Sequence, residues 1–92
     1  MNFRKRWCTS TVVSDEGYAV TFRGRSQIVY QEGSLRVYIE AEMLFGRCDW
    51  AFSKEDMFLR GRKRLKDVAL RQRIADRVAA VCEYLGLKLL IE

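Results

Sequence analysis

The chain has 92 residues, 49% hydrophobic and 32% charged, with 17 Lys plus Arg against 12 Asp plus Glu, a net charge of +5. That length predicts one domain around one core, and the composition is too apolar for a disordered chain. Histidine is absent and the three cysteines, Cys8, Cys48 and Cys82, are far apart, which excludes Ser-His and Cys-His nucleophilic catalysis, a structural zinc site and a disulfide framework.

The first residues, MNFRKRW, are basic as a signal peptide would be, but no apolar h-region follows and Ser14-Asp15-Glu16 turns polar. No run approaches the ~18 apolar residues of a membrane span. The expectation is a cytoplasmic chain that starts near Met1, keeps its thiols reduced and has no membrane partner.

In chain order, residues 1–16 predict a ragged first strand or a tail, with weak alternation over residues 3–13 that ends in Val12-Val13. Tyr18-Ala-Val-Thr-Phe22 is rich in strand formers and bounded by Gly17 and Gly24, which predicts a strand. A hairpin follows over residues 26–44. In its second arm Leu35, Val37, Ile39 and Ala41 point one way and Arg36, Tyr38, Glu40 and Glu42 the other, the period-two pattern of a half-buried strand. Gly33 supplies the positive φ of a hairpin loop with a bulge.

Cys48-Asp-Trp-Ala-Phe-Ser53 predicts one more strand, closing a strand-rich region over residues 18–53. Ser53 with Asp56 three residues later resembles a capping box, opening a short helical turn that Gly61 closes. The long helix is expected over residues 65–85, because Leu70, Ile74, Val78, Val81 and Leu85 make one apolar stripe. Ala75, Ala79 and Cys82 widen that stripe, with Cys82 as a small buried thiol, and Gly86 fits the C′ position. Residues 87–91, Leu-Lys-Leu-Leu-Ile, predict a last strand inside the sheet. The expected fold class is α+β: a mainly antiparallel sheet of four to five strands, one long C-terminal helix packed on one face, and a short terminal strand.

Glu40 and Glu42, two apart on a strand, have Cα atoms roughly 6–7 Å apart, a separation within reach of glycosidase carboxylate pairs. Catalysis also needs a concave site and a partner that drives the two pKa values apart. The sequence supplies no histidine base, no second acidic cluster and no metal motif. Glycine-rich nucleotide motifs are absent as well. No catalytic residue, metal or cofactor is therefore assigned, and the outer face of the hairpin is read as solvated strand surface with charge pairing.

Three segments mix cations with aromatic or apolar residues: Phe3-Arg-Lys-Arg-Trp7, Phe22-Arg-Gly-Arg25, and Leu59 to Lys66. The last contains Arg60, Arg62, Lys63, Arg64 and Lys66, followed in the helix by Arg71 and Arg73, where acids would suit the helix dipole better. Such clusters either track a phosphate backbone, with the aromatics as stacking platforms, or line a solvated loop. The crowding of cations also suggests a nearby anion or acidic partner. No helix-turn-helix, RRM or KH signature accompanies them.

The pattern Ile28-x-Tyr30-x-Glu32-Gly33-x-x-x-Val37-x-Ile39-x-x-Glu42-x-Leu44, then Asp49-Trp50 and a helix ending at Gly86 before a terminal strand, resembles the small immunity proteins of bacterial polymorphic toxin systems, specifically the immunity family numbered seventy-four. The likeness spans roughly residues 20–92. Members of that family carry a proline-containing tryptophan loop before the helix; this chain has no proline, and the basic segment Leu59–Lys66 takes that place. The resemblance implies a cytoplasmic, non-enzymatic inhibitor that binds one cognate protein toxin. Tyr38, Glu40, Glu42 and Trp50 are the expected partner-binding residues if Trp50 shares their face, with Trp50 as a core residue the competing assignment. The alternative function is a small basic nucleic-acid-binding module acting through Arg60, Arg62, Lys63, Arg64 and Lys66. An inhibitor that plugs a nuclease should be acidic, so a basic one suits an acidic toxin or a contact away from the nucleic-acid groove.

Overall fold

The structure, a computed structural model, describes residues 2–6, 10–44, 46 and 48–92. Among these residues, eight strands and one helix form in the order β1 (Phe3–Lys5), β2 (Thr11–Ser14), β3 (Tyr18–Arg23), β4 (Gln27–Glu32), β5 (Leu35–Met43), β6 (Trp50–Leu59), β7 (Lys63–Arg64), α1 (Val68–Leu85) and β8 (Leu89–Ile91). The fold is α+β with the helix near the C-terminus, as expected, but the sheet has more strands than the four to five predicted.

Strands β1 to β7 lie side by side in sequence order, each antiparallel to the next. The predicted ragged segment resolves into β1 and β2, paired Phe3 with Ser14 and Lys5 with Val12. The hairpin between β4 and β5 turns on Gly33 at φ 59°, with Glu32 opposite Leu35. That is a two-residue loop with glycine first, the turn whose twist suits the strands, rather than a loop with a bulge.

The segment read as a capped helical turn is instead the middle of β6. Ser53, Lys54, Glu55 and Asp56 bulge out of the ladder, because Ile39 pairs with Met57 whereas Ala41 pairs with Phe52. The Ser53 hydroxyl does cap locally, accepting from the Glu55 amide at 3.3 Å, but inside a strand. The bulge shifts the alternation so that Phe52 and Met57, five apart, both reach the core. Gly61 serves the turn between β6 and β7, with φ 81°.

The terminal strand also differs from expectation. β8 runs parallel to β6, with Trp50 opposite Leu89 and Phe52 opposite Ile91, and among the described strands it pairs with β6 alone. One side of β6 is thus shared, by β8 along its first half and β7 along its last.

The helix begins at Val68, three residues later than predicted, because Asp67 is the N-cap; its Oδ1 accepts from the Leu70 amide at 3.1 Å. Leu65 is buried, but as part of the chain after β7, where its amide donates to the Met57 carbonyl at 2.9 Å. Gly86 ends the helix at φ 73°, and the Leu87 amide donates to the Cys82 carbonyl at 2.8 Å.

The stripe Ile74, Ala75, Val78, Val81 and Cys82 packs on Val20, Ile28, Tyr30, Val37, Ile39, Trp50 and Met57. Each large aliphatic side chain buried there contributes roughly 1.5–3 kcal/mol. Burial pushes the Cys82 thiol up to about 11, so it stays protonated and inert.

A polar latch holds the helix across the sheet. Arg77 donates to the Tyr30 hydroxyl at 2.7 Å, and that hydroxyl donates to Glu32 at 2.8 Å. Arg77 also pairs with Glu32 at 3.1 Å and lies over the Tyr18 ring at 4.5 Å. Arg73 approaches the same carboxylate at 3.5 Å. The anion suggested by cations early in the helix is therefore, for Arg73, a glutamate of the same chain.

Candidate functional site

α1 lies on one face of the sheet, no other described element covers the opposite face, and the register places that face's side chains in three rows across the strands. The first reads Arg4, Val13, Ala19, Gln31, Arg36. The second reads Thr11, Thr21, Val29, Tyr38, Phe58, Arg64, with Arg6 beyond Thr11, its amide donating to the Thr11 carbonyl at 2.8 Å. The third reads Arg23, Gln27, Glu40.

The rows divide this face into three chemically distinct zones. Over β2 to β5 lies a groove of about 580 Å³ whose floor is Thr11, Val13, Ala19, Thr21 and Val29 and whose walls include Arg6, Arg23 and Arg36. None of its lining residues is acidic. The floor is packed: Val29 is only 3% exposed although it faces away from the helix, and the Thr11 and Thr21 hydroxyls hydrogen-bond at 2.8 Å.

The middle zone is aromatic. Tyr38 and Phe58 are opposite each other, Arg36 lies over the Tyr38 ring at 5.6 Å, and Arg62 and Arg64 lie over the Phe58 ring at 5.2 and 5.5 Å. A pocket of about 220 Å³ opens between Tyr38, Glu40, Phe58 and the turn Arg60-Gly61-Arg62. At the bulged corner of the sheet, a depression of about 480 Å³ is lined by Glu40, Glu42, Asp56 and Glu92 together with Arg25. The face is basic at one side and acidic at the other.

Tyr38, Glu40 and Glu42 lie on this uncovered face as predicted, but Trp50 does not join them. It is 3% exposed, pairs with Met43 rather than with a residue of the outer rows, and packs against Phe22 at 5.5 Å. Trp50 is a core residue because its strand alternation sends it, with Phe52, toward the helix.

The basic segment is likewise split. Arg62 pairs with Glu40 at 2.6 Å, and Arg64 donates to the Glu55 carbonyl at 2.9 Å. Arg60, Lys63 and Lys66 are exposed to solvent. The described aromatics interleaved with the other basic segments pack inside the protein: Phe3 on Tyr18 and Tyr84, and Phe22 on Trp50. Trp7 and Cys8 lie outside the described residues.

Sequence reasoning missed Phe58 and the arginine-walled groove. Phe58 fell in the segment read as helical, and Arg6, Arg23 and Arg36 converge only through strand register. Among the described residues no group of three or more Cys, Asp or Glu side chains converges as a cation site would require, and no helix is long and apolar enough to cross a membrane. No protein-family model, no curated protein and no solved structure significantly matches the chain.

Proposed function

We propose that this protein is a non-catalytic inhibitor that neutralises a cognate protein toxin by binding it with the uncovered sheet face. The observation that carries the reading is the juxtaposition on that face of an aromatic centre, Tyr38 and Phe58, with arginines on one side and carboxylates on the other. Tyrosine and arginine are the residues that most often anchor protein interfaces, and a rigid sheet presents them at little entropic cost. A surface of both signs suits a folded partner with its own charge pattern. A nucleic acid, uniformly negative, would meet Glu40 and Glu42 as repulsion. The likeness of roughly residues 20–92 to the immunity proteins of polymorphic toxin systems points to the same class of partner.

Co-expression tests the reading. The C-terminal domain encoded by the neighbouring reading frame should arrest growth when expressed alone, and this chain should restore growth. Tyr38→Ala combined with Phe58→Ala should lose that protection while the variant remains folded. Protection that is indifferent to the outer face would overturn it.

A second reading, binding of nucleic acid through Arg60, Lys63 and Lys66, is favoured by the exposure of all three to solvent. It predicts retention on heparin at physiological salt that disappears when all three become alanine.

A further inference from the structure

The arginine-walled groove over β2 to β5 adjoins the aromatic centre and shares Arg36 with it, and we infer that it is the docking site for an extended acidic segment of the protein partner. The inference rests on the protein-partner reading above and adds where the partner's acidic part binds and by what chemistry.

Three features support this occupant. First, the walls carry guanidinium groups on different strands: Arg23 at the end of β3 and Arg36 near the start of β5. With neighbouring strands ~4.8 Å apart and residues ~3.4 Å apart along each strand, the Cα atoms of Arg23 and Arg36 are about 17 Å apart across the sheet. That span matches several residues of an extended chain, not a single small anion. Guanidinium forks bind carboxylates in bidentate fashion.

Second, the lining contains Asp and Glu at no position, so a negatively charged segment meets no like charge within the groove. Third, the floor is small and smooth, built of Ala19, Thr21, Val29 and the paired hydroxyls. An extended peptide can lie flat on such a floor. A single-stranded nucleic acid binds by stacking bases on aromatic rings, and among the described lining residues the one aromatic, Tyr18, turns its ring to the core against Tyr30 at 5.6 Å.

The test uses fluorescence anisotropy with a labelled twelve-residue Asp/Glu-rich peptide and, separately, a labelled oligothymidylate of twelve nucleotides. The full chain should bind the peptide, with affinity falling as salt rises. Arg23→Glu with Arg36→Glu should weaken it by about tenfold or more, whereas Arg60→Glu with Lys63→Glu should change it by about twofold or less. Should the double reversal fail to fold, Arg23→Gln with Arg36→Gln keeps the size and removes the charge. No peptide binding, equal losses in both double variants, or tighter binding of the oligonucleotide through the same arginines would overturn the inference. A toxin neutralised normally by the Arg23/Arg36 variant would sink the groove assignment and leave the protein-partner reading standing. Failure to neutralise any toxin alongside intact peptide binding would do the opposite.

Discussion

Arg62 reaches from the turn between β6 and β7 to Glu40 on β5, with 2.6 Å between Nη2 and Oε1. Arg62 also has a φ of 62°, a left-handed conformation that costs a residue with a Cβ roughly 1–2 kcal/mol. The turn places this side chain over Phe58 and against Glu40 despite that cost, fixing one edge of the aromatic centre.

The two opposing contributions at Arg62 can be separated. Arg62→Gly removes the strain together with the exposed ion pair and the ring contact, so stability should stay within about 1 kcal/mol of the original. Arg62→Ala keeps the strain and loses the contacts, and should cost about 1 kcal/mol. Urea unfolding of the two variants measures both, and an alanine variant as stable as the glycine variant would refute the strain.

Glu32 makes the fold sensitive to acid. The Tyr30 hydroxyl donating to it, then Arg77 and Arg73, hold its carboxyl below the ordinary carboxylate value, against an opposing push from burial. A carboxyl lowered by folding stabilises the native state above its unfolded value, ordinarily ~4.3, and that contribution is lost as pH falls through the lower folded value. Stability should therefore decline below about pH 4.5, and Glu32→Gln should flatten this decline. An unchanged acid limb in the variant would show that other carboxylates set it.

Tyr30 links helix and sheet, and its hydroxyl is kept protonated by burial and by its bond to Glu32, both of which raise its pKa. Tyr30→Phe leaves Arg77 and Glu32 their direct contact but removes two hydrogen bonds. The expected loss is about 1–2 kcal/mol, read by chemical denaturation, with the Glu32 titration moving up toward its ordinary value in NMR.

Core packing under the helix centres on Ile74, which is fully buried. Ile74→Ala should cost about 2–5 kcal/mol through lost transfer energy and the cavity left behind. Among the thiols, Cys82 should react with a disulfide reagent only as fast as the chain unfolds, while half-buried Cys48 reacts sooner.

Where a period survived uninterrupted, the sequence revealed the fold. The helix stripe from Leu70 to Leu85, the Gly86 cap and the alternation from Leu35 to Ala41 all read correctly, because one face of each is buried continuously. β6 did not, since its bulge puts buried Phe52 and Met57 five residues apart and dresses the interval in Ser53 and Asp56, residues that also cap helices. β8 was legible as a strand but not as a parallel one, because its partner β6 lies some forty residues earlier in sequence. Of the candidate site, Tyr38, Glu40 and Glu42 followed from alternation alone. Trp50 could not be placed without knowing its face, and the pairing of Arg62 with Glu40 joins segments 22 residues apart. The groove arginines share a face only because four successive registers align them.

The most direct test of the uncovered face as the binding surface is the dissociation constant of the partner complex, measured calorimetrically for two groups of variants. Tyr38→Ala and Arg36→Glu on that face should each weaken binding by about tenfold or more. Asp76→Lys and Glu83→Lys on the exposed side of α1 should change it by about threefold or less. Large losses from the helix variants with none from Tyr38 or Arg36 would contradict the account.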